Sequence, residues 1–468
     1  MKSDRIVRAG VLALAVVGLL AVSWVLPPAV HRARRLCPVR PDGVSEAGAY
    51  ANFARRYGVS CSVCHSSVPQ LNETGYRFRT AGYRMPDEIG NDAKWSNWGD
   101  NASIRTQENY NVTSTKGNAA STPETNGFSN GGLEMYPLEG AFGKYVAAND
   151  EVDVSAGKTP TTNANPDITA KGTAGQVSMS NLNMLATFPI TADSFVTTRV
   201  GLISAFQGYG ASDRGVGLVS PTFKPTPSQI QPGGTKSFTF NGFASSGEGL
   251  ELAYNWKGTH VSAQLVNGYN SFNGSTTQGE DNHLKDFGIF VNQMIGENAI
   301  AAYFYNGSSG YGSNAATTVN GIGGAESASS PFTANWYDNY MRGILYGTIK
   351  VLPQDKLDVL VGVCDGYDHT FDLRTNSSSD QFHSMGGFVT LQTMQQIMEH
   401  QLTTALSYGT DRASTSTAGN RVSDVTLSFA VPIENNKFGF DLQTQRTQAV
   451  GTRDTTADIA EVQWQFMY

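Results

Sequence analysis

Charge is scarce in this chain of 468 residues: only 16% of positions are Asp, Glu, Lys or Arg, and the net balance is −7. With no basic excess there is no electrostatic footprint for nucleic acid, which is excluded as a partner. Cysteine is rarer still, with four residues at 37, 61, 64 and 364. Two of these fall in one short motif, so no disulfide framework follows. Cys37 and Cys364 can pair in an oxidising compartment, but nothing demands it, and both are read as free thiols. Also missing is a second apolar run of spanning length after residue 30. A membrane protein without further spanning helices has to be a closed barrel, because backbone groups in lipid need internal partners. What the chain has instead is glycine, 50 residues of it, together with much Asn, Ser and Thr. That composition argues for strands joined by polar loops rather than a helical cytosolic enzyme.

The start reads as an export signal. Lys2, Arg5 and Arg8 precede an apolar stretch from Val11 to Leu26, and Ala29 and Ala33 offer cleavage points after Pro27-Pro28. Residues 1–33 are expected to be a signal peptide; an uncleaved inner-membrane helix is the alternative, since Arg32, Arg34 and Arg35 follow. Cys37 is a poor lipoprotein cysteine, because Arg34-Arg35-Leu36 stands where a small residue is needed.

From residue 101 to 468 the pattern is two-residue alternation. Leu250, Leu252, Tyr254 and Trp256 alternate with Glu251, Ala253 and Asn255, and Ala460, Val462, Trp464, Phe466 and Tyr468 with Glu461, Gln463 and Gln465. Further pairs flank short turns at Lys257-Gly258, Gly296-Glu297-Asn298, Pro353-Gln354-Asp355 and Glu434-Asn435-Asn436. Stretches 207–248, 307–338 and 367–383 are rich in Gly, Ser, Thr, Asn and Asp and are read as long loops. Short turns at one end and long polar loops at the other predict a transmembrane antiparallel β-barrel of about 16 strands in the outer membrane, facing lipid. A soluble β-sandwich or jelly roll also alternates, but it does not share the turn asymmetry and would carry more charge on its outer face. Asp286, Asp358, Asp424 and Asp441 fall opposite the apolar face and are expected to point into the lumen.

Residues 61–65 read Cys-Ser-Val-Cys-His. Two thiols three positions apart on a helical turn reach the two vinyl groups of one haem, and the adjacent imidazole ligates the iron. The expectation is one covalent haem c, held by Cys61 and Cys64 as thioethers and by His65 as proximal iron ligand. A zinc half-site would need a second ligand pair, and the next histidine is His260. A redox dithiol would need a thioredoxin-like alternation of strands and helices, which is absent. Met85 is the candidate distal ligand, and a thioether there would raise the potential. His283, His369, His383 and His400 of the barrel, or a five-coordinate iron, are the alternatives. The small α-helical segment 46–92 is too short for an ordinary core, so the haem and the barrel wall are expected to complete it, with the segment plugging the barrel. Trp95 and Trp98 follow, as interfacial anchors or caps over the haem.

Phe53-Ala54-Arg55-Arg56-Tyr57-Gly58-Val59-Ser60-Cys61, then Cys64-His65, Pro69-Gln70-Leu71-Asn72, Gly75, Phe78 and Gly82-Tyr83, resemble the N-terminal cytochrome of outer-membrane monohaem cytochrome–porin fusions. The resemblance rests on those few dozen residues; the barrel agrees in length and pattern only. It implies oxidation of extracellular Fe(II), or of another external donor, with the electron passed to a periplasmic c-type cytochrome. Such an Fe(II):cytochrome c oxidoreductase is a one-electron enzyme that requires no acid–base residues. Two other functions fit the same residues: a selective porin plugged by its haem segment, and a conduit carrying electrons outward to an external acceptor.

Overall fold

The computed structural model describes residues 51–59, 63–67, 70–93, 101–116, 125–155, 176–204, 246–266, 285–296, 298–311, 336–352, 357–372, 377–397, 400–414, 419–433, 436–449 and 454–467. The expected signal peptide, Cys37, Cys61, Trp95, Trp98 and His283 lie outside them. The chain divides into two compact units, Met1–Gly43 and Val44–Tyr468. Every described residue belongs to the second.

Helix α1 (Ala51–Tyr57), a hairpin of β1 (His65–Ser67) and β2 (Gln70–Leu71), and helix α2 (Glu73–Thr80) come first. Then follow β3 (Ser103–Lys116), β4 (Thr125–Tyr136), the two-residue β5 (Gly140–Ala141), β6 (Val146–Ser155), β7 (Gln176–Thr191) and β8 (Ser194–Ser204). Next come β9 (Ser246–Trp256), β10 (Thr259–Val266), β11 (Asp286–Ile295), β12 (Asn298–Tyr311), β13 (Trp336–Leu352) and β14 (Leu357–Asp372). The last are β15 (Ser377–Ile397), β16 (His400–Ser414), β17 (Gly419–Ile433), β18 (Asn436–Ala449) and β19 (Thr455–Met467). The β1–β2 hairpin stands apart as its own sheet; from β3 onward the strands run antiparallel in chain order, with β4 also pairing with β6 past the short β5, and β19 pairs with β3 to close the barrel. Setting β5 aside, the wall has 16 strands, the number the alternation predicts.

The alternation sets which face goes where. Leu250, Leu252, Tyr254 and Trp256 stand exposed on the outer face, while Glu251, Ala253 and Asn255 are buried inside. Val462 and Trp464 are exposed, and Glu461, Gln463 and Gln465 are buried. A greasy outside around a polar inside inverts the soluble sandwich and is the arrangement of an outer-membrane-type barrel. Among the described residues no helix is long and apolar enough to cross a membrane; the crossing elements are strands.

The tight turns, between Thr191 and Ser194, Trp256 and Thr259, Ile295 and Asn298, and Ile397 and His400, all fall at one end. Ser103 and Met467 lie at the same end, paired near Thr106 and Phe466. Trp256 and Trp464 sit close to it; the Trp464 indole donates to Asn436 Oδ1 at 2.9 Å, and Lys257 lies 5.3 Å over the Trp256 ring. Amphipathic rings at that level match the aromatic girdle of a membrane interface.

Part of the loop reading needs correction. Most of 367–383 is strand, with β14 running to Asp372 and β15 starting at Ser377, paired through His369 and Gln381. Likewise β12 extends to Tyr311 and β13 begins at Trp336, inside the predicted loop 307–338, and β9 begins at Ser246. A strand needs about 9–11 residues to cross the hydrocarbon, but β13, β14 and β15 have 17, 16 and 21. Above the lipid both faces meet water, so alternation fades while the ladder continues. Asp365 and His383 are hydrogen-bonded to one another on the outward face of this part of the wall.

Candidate functional site

The Cys64-His65 turn is fastened to α2 by one residue. Asn72 caps the helix, its Oδ1 accepting from Gly75 N at 3.0 Å. Its Nδ2 donates to the Val63 carbonyl at 3.0 Å, and its backbone N–H to the Cys64 carbonyl at 2.9 Å. A Cβ on Gly75 would overlap that same Cys64 carbonyl oxygen, so the approach admits only glycine. The result holds the His65 imidazole buried and Cys64 half-buried, one residue apart in a fixed turn. Burial pushes the Cys64 thiol up to about 11, which disfavours the thiolate that a redox dithiol needs.

Behind the turn, aromatic rings stand in for a core. Phe53 stacks on Tyr83 with centroids 5.3 Å apart and meets Phe78 edge-on at 5.0 Å, and Tyr57 meets Phe78 edge-on at 5.5 Å. Met85 packs against this cluster, which also takes in Ala147 and Leu185 of the barrel wall. Tyr57 OH donates to Glu88 Oε2 at 2.7 Å, and the Met85 N–H to the same oxygen at 3.0 Å. Burial, then the Glu88 carboxylate, raise the Tyr57 phenol well above its usual range.

The segment lies on the inner wall. Consecutive left-handed residues, Gly82 at φ 74° and Tyr83 at φ 55°, turn the chain after α2. A bulky residue in that region is strained and persists only where its surroundings hold it. The turn aims Arg84 at the β5–β6 connection, where its guanidinium donates to the carbonyls of Gly143, Lys144 and Val146 at 2.8, 2.5 and 2.9 Å. Burial lowers the Arg84 pKa, and three carbonyl acceptors satisfy the charge it keeps. Gly82 sits so close to β7 that a Cβ would meet Thr187 Oγ1 at 3.1 Å. Thr197 of β8 donates to the Thr80 carbonyl at 2.8 Å. Near the barrel rim, Arg55 donates to the Ala102 carbonyl and Arg56 to Asn101 Oδ1.

Between α2 and strands β7–β11 is a small recess, partly open to solvent. Tyr76, Arg79 and Tyr83 line it from the segment. From the wall come Arg199 and Glu251, ion-paired at 2.8 Å, and His260. His260 Nδ1 lies 2.7 Å from Asn255 Oδ1, and its ring is flanked by Tyr76 and Phe290, both at 5.7 Å between centroids.

Of the residues expected to form the site, Cys64 and His65 are adjacent on one turn, Cys61 lies outside the described residues, and Met85 belongs to the aromatic cluster. His400 is exposed, and His383 engages Asp365 on the outer face. The four lumen aspartates are all buried inside. Asp286 accepts from Tyr305 at 2.5 Å, Asp358 from Lys350 at 2.6 Å, and Asp424 from Gln443 at 3.0 Å. These bonds tie one strand to another. Glu134, Glu151 and Asp153 bring carboxylate oxygens within 4.8 Å of one another, with Tyr136 OH donating to the first two.

Arg84 and His260 are given no place in the site by sequence pattern, and Asn72 enters there only as part of a resemblance. For His260 the signal is parity: it shares its strand phase with the buried Ser262 and Gln264.

No family model and no curated protein matches the chain. Among solved structures the barrel is similar to the outer membrane channel DcaP of Acinetobacter baumannii, at 12% identity and TM-score 0.45 over 79% of this chain and 96% of that one. It is similar also to an anion-selective porin from Comamonas acidovorans, at 8% identity and TM-score 0.45 over 78% of this chain and 99% of that one. A third is OmpT of Vibrio cholerae, at 10% identity and TM-score 0.45 over 78% of this chain and 97% of that one. At these scores the likenesses carry no argument about what the lumen holds.

Proposed function

We propose that this barrel is the housing of an outer-membrane electron-transfer protein, which holds one covalent haem on its inner wall and oxidises an extracellular donor, Fe(II) by family resemblance. A periplasmic c-type cytochrome receives the electron. The observation that carries the reading is the seating of the Cys64-His65 segment against the lumen face of β6–β11, rather than on a separate domain.

The residues fit such a group. A fixed turn presents a half-buried Cys64 beside a buried His65. Cys61, Cys64 and His65 would hold the haem, which supplies one-electron chemistry at a single iron. The chain's own tasks are then positional. Asn72 and Gly75 fix the turn, the Phe53–Phe78–Tyr83 cluster keeps water from one side, and Arg84 anchors the segment to the wall. In outer-membrane barrels the short-turn end is periplasmic. The segment docks near that end, beside Thr197, a few residues from the Thr191–Ser194 turn, which suits delivery to a periplasmic acceptor.

Anaerobic stopped-flow mixing of the oxidised full-length protein with Fe(II) tests the reading. Rapid reduction at the Soret and α bands, lost when Cys61 and Cys64 are replaced by Ala, is the expected result. A haem that stays oxidised with Fe(II) yet reduces with dithionite would sink the iron reading. A second reading, a solute-selective porin with the segment as plug, is favoured by the wall itself, since 16 strands around a polar lining is the scale at which barrels conduct. Solute flux into liposomes that persists with the haem in place would support it.

A further inference from the structure

Arg412 of β16 and Arg421 of β17 stand directly opposite one another in the wall, and both are exposed. Strand parity puts them on the outer face: Arg412 shares its phase with the exposed Leu406 and Tyr408, and Arg421 with the exposed Val425. Residues so placed have Cβ atoms about 4.5–5.5 Å apart, and like charges there work against the pairing of the two strands. Arg421 Nε donates to the Thr410 hydroxyl at 3.3 Å, a neutral partner that leaves the charge uncompensated. The outward carboxylates nearby are engaged elsewhere: Asp454 with Arg446 at 2.7 Å, Asp458 with Lys116 at 3.4 Å, and Asp365 with His383. Among the described residues neither Arg412 nor Arg421 has a carboxylate partner.

The height of the pair says what meets it. Arg412 lies twelve residues along β16 from His400, at the short-turn end. At about 3.3 Å per residue and a strand tilt of about 40°, that is roughly 30 Å along the membrane normal. The apolar band of such a barrel is about 25 Å tall, so the pair clears it and enters the head-group layer on the side away from the periplasm. Beneath the pair the outer face is apolar, with Tyr408, Val425 and Val389 exposed and in register across β15–β17. At such a boundary an arginine lays its apolar stem along the wall and turns its charge into the polar layer.

We propose that Arg412 and Arg421 form a docking site for the phosphate of an outer-leaflet lipid head group, with the acyl chains of the same lipid on the apolar strip beneath. Guanidinium groups bind phosphate oxygens in a bidentate fork, and one shared phosphate cancels the repulsion between two of them. Such an amphiphile matches both halves of the surface, the charge above and the grease below. Inorganic phosphate matches only the first, and the apolar band of a second copy of the chain only the second. The site is independent of the haem reading.

The test uses the full-length protein in detergent. Titration with bis-phosphorylated lipid A, followed by native mass spectrometry, counts bound lipid per barrel. Saturable binding that weakens as salt rises is expected, and binding about tenfold or more weaker in Arg412→Gln/Arg421→Gln. Arg446→Gln, whose charge Asp454 already meets, is expected to bind nearly as the parent does. Heat-modifiable migration on a gel reports whether each variant has folded. Undiminished binding in the folded double variant overturns the proposal. So does equal binding of lipid A stripped of its phosphates by the parent, a comparison that needs no variant and marks apolar adhesion alone. Full displacement of the lipid by an equal concentration of inorganic phosphate would show that the acyl chains contribute nothing and overturns the lipid assignment. An oligomer that the double variant loses, with no lipid bound in either protein, overturns it in favour of a contact between copies.

Discussion

Beyond the β1–β2 hairpin, Asn72 joins two pieces of chain: the turn bearing Cys64 and His65, and the first turn of α2. Replacing it by Ala leaves the backbone bond to Cys64 but removes the cap on Gly75 and the donor to Val63. Cap loss costs about 0.5–2 kcal/mol and the second bond about 1 kcal/mol. Asn72→Ala is therefore expected to lower haem yield per barrel, and Asn72→Asp, which keeps the cap alone, to fall between; absorbance per mole of folded protein ranks the three. Tyr57 gives a pH dependence of known sign. Its raised pKa means that the bond to Glu88 contributes fully below the ordinary tyrosine value of about 10 and is lost as pH rises through the higher folded value. Protease sensitivity of the segment should be flat from neutral to mildly alkaline pH, then rise. In Tyr57→Phe that alkaline rise should disappear, and an unchanged rise would show that another group titrates.

At the scale of elements, the strands are where sequence reading reaches furthest. One face of each membrane stretch meets lipid and the other the lumen, so Leu250–Trp256 and Ala460–Phe466 declare their phase residue by residue. The upper parts of β14 and β15 do not, because water on both sides removes the pressure to alternate, and Tyr367–Asp372 therefore reads as loop. The same parity rule assigns His260 to the lumen, and applying it to every histidine in a strand would have singled it out. Arg84 was not legible at all. Its partners are three backbone carbonyls about sixty residues away, which carry no side-chain signature. Parity also makes a sharp prediction. Leu406→Arg, outward on β16, should destabilise the barrel by about 2–4 kcal/mol if it lies near the bilayer midplane, while Ser407→Arg should cost less. Equilibrium unfolding in lipid, followed by tryptophan fluorescence, compares them; equal losses would mean that the facing is wrong.

For the molecule as a whole, segment and wall make one object, joined chiefly at Arg84, Gly82 and Thr80. Arg84→Ala strips three hydrogen bonds from the β5–β6 connection and should loosen the seat without disturbing the strands. Planar-bilayer recordings are expected to show larger or more variable conductance steps than the parent, with unchanged heat-modifiability. Identical steps would mean that the segment does not limit the passage. Gly82→Val is a harsher version, combining a disfavoured backbone conformation with a collision at Thr187.

The wall contacts named for the segment, from Asn101 to Phe290, belong to residues that precede β12, whereas closure joins β3 to β19. The dock is thus composed of the earlier-made half of the barrel, and the seam is sealed by its final strand. A nascent chain delivered N-terminus first can therefore lodge its leading segment against a half-built wall. The remaining strands then wrap around a cargo already aboard, and none has to be threaded into a finished pore.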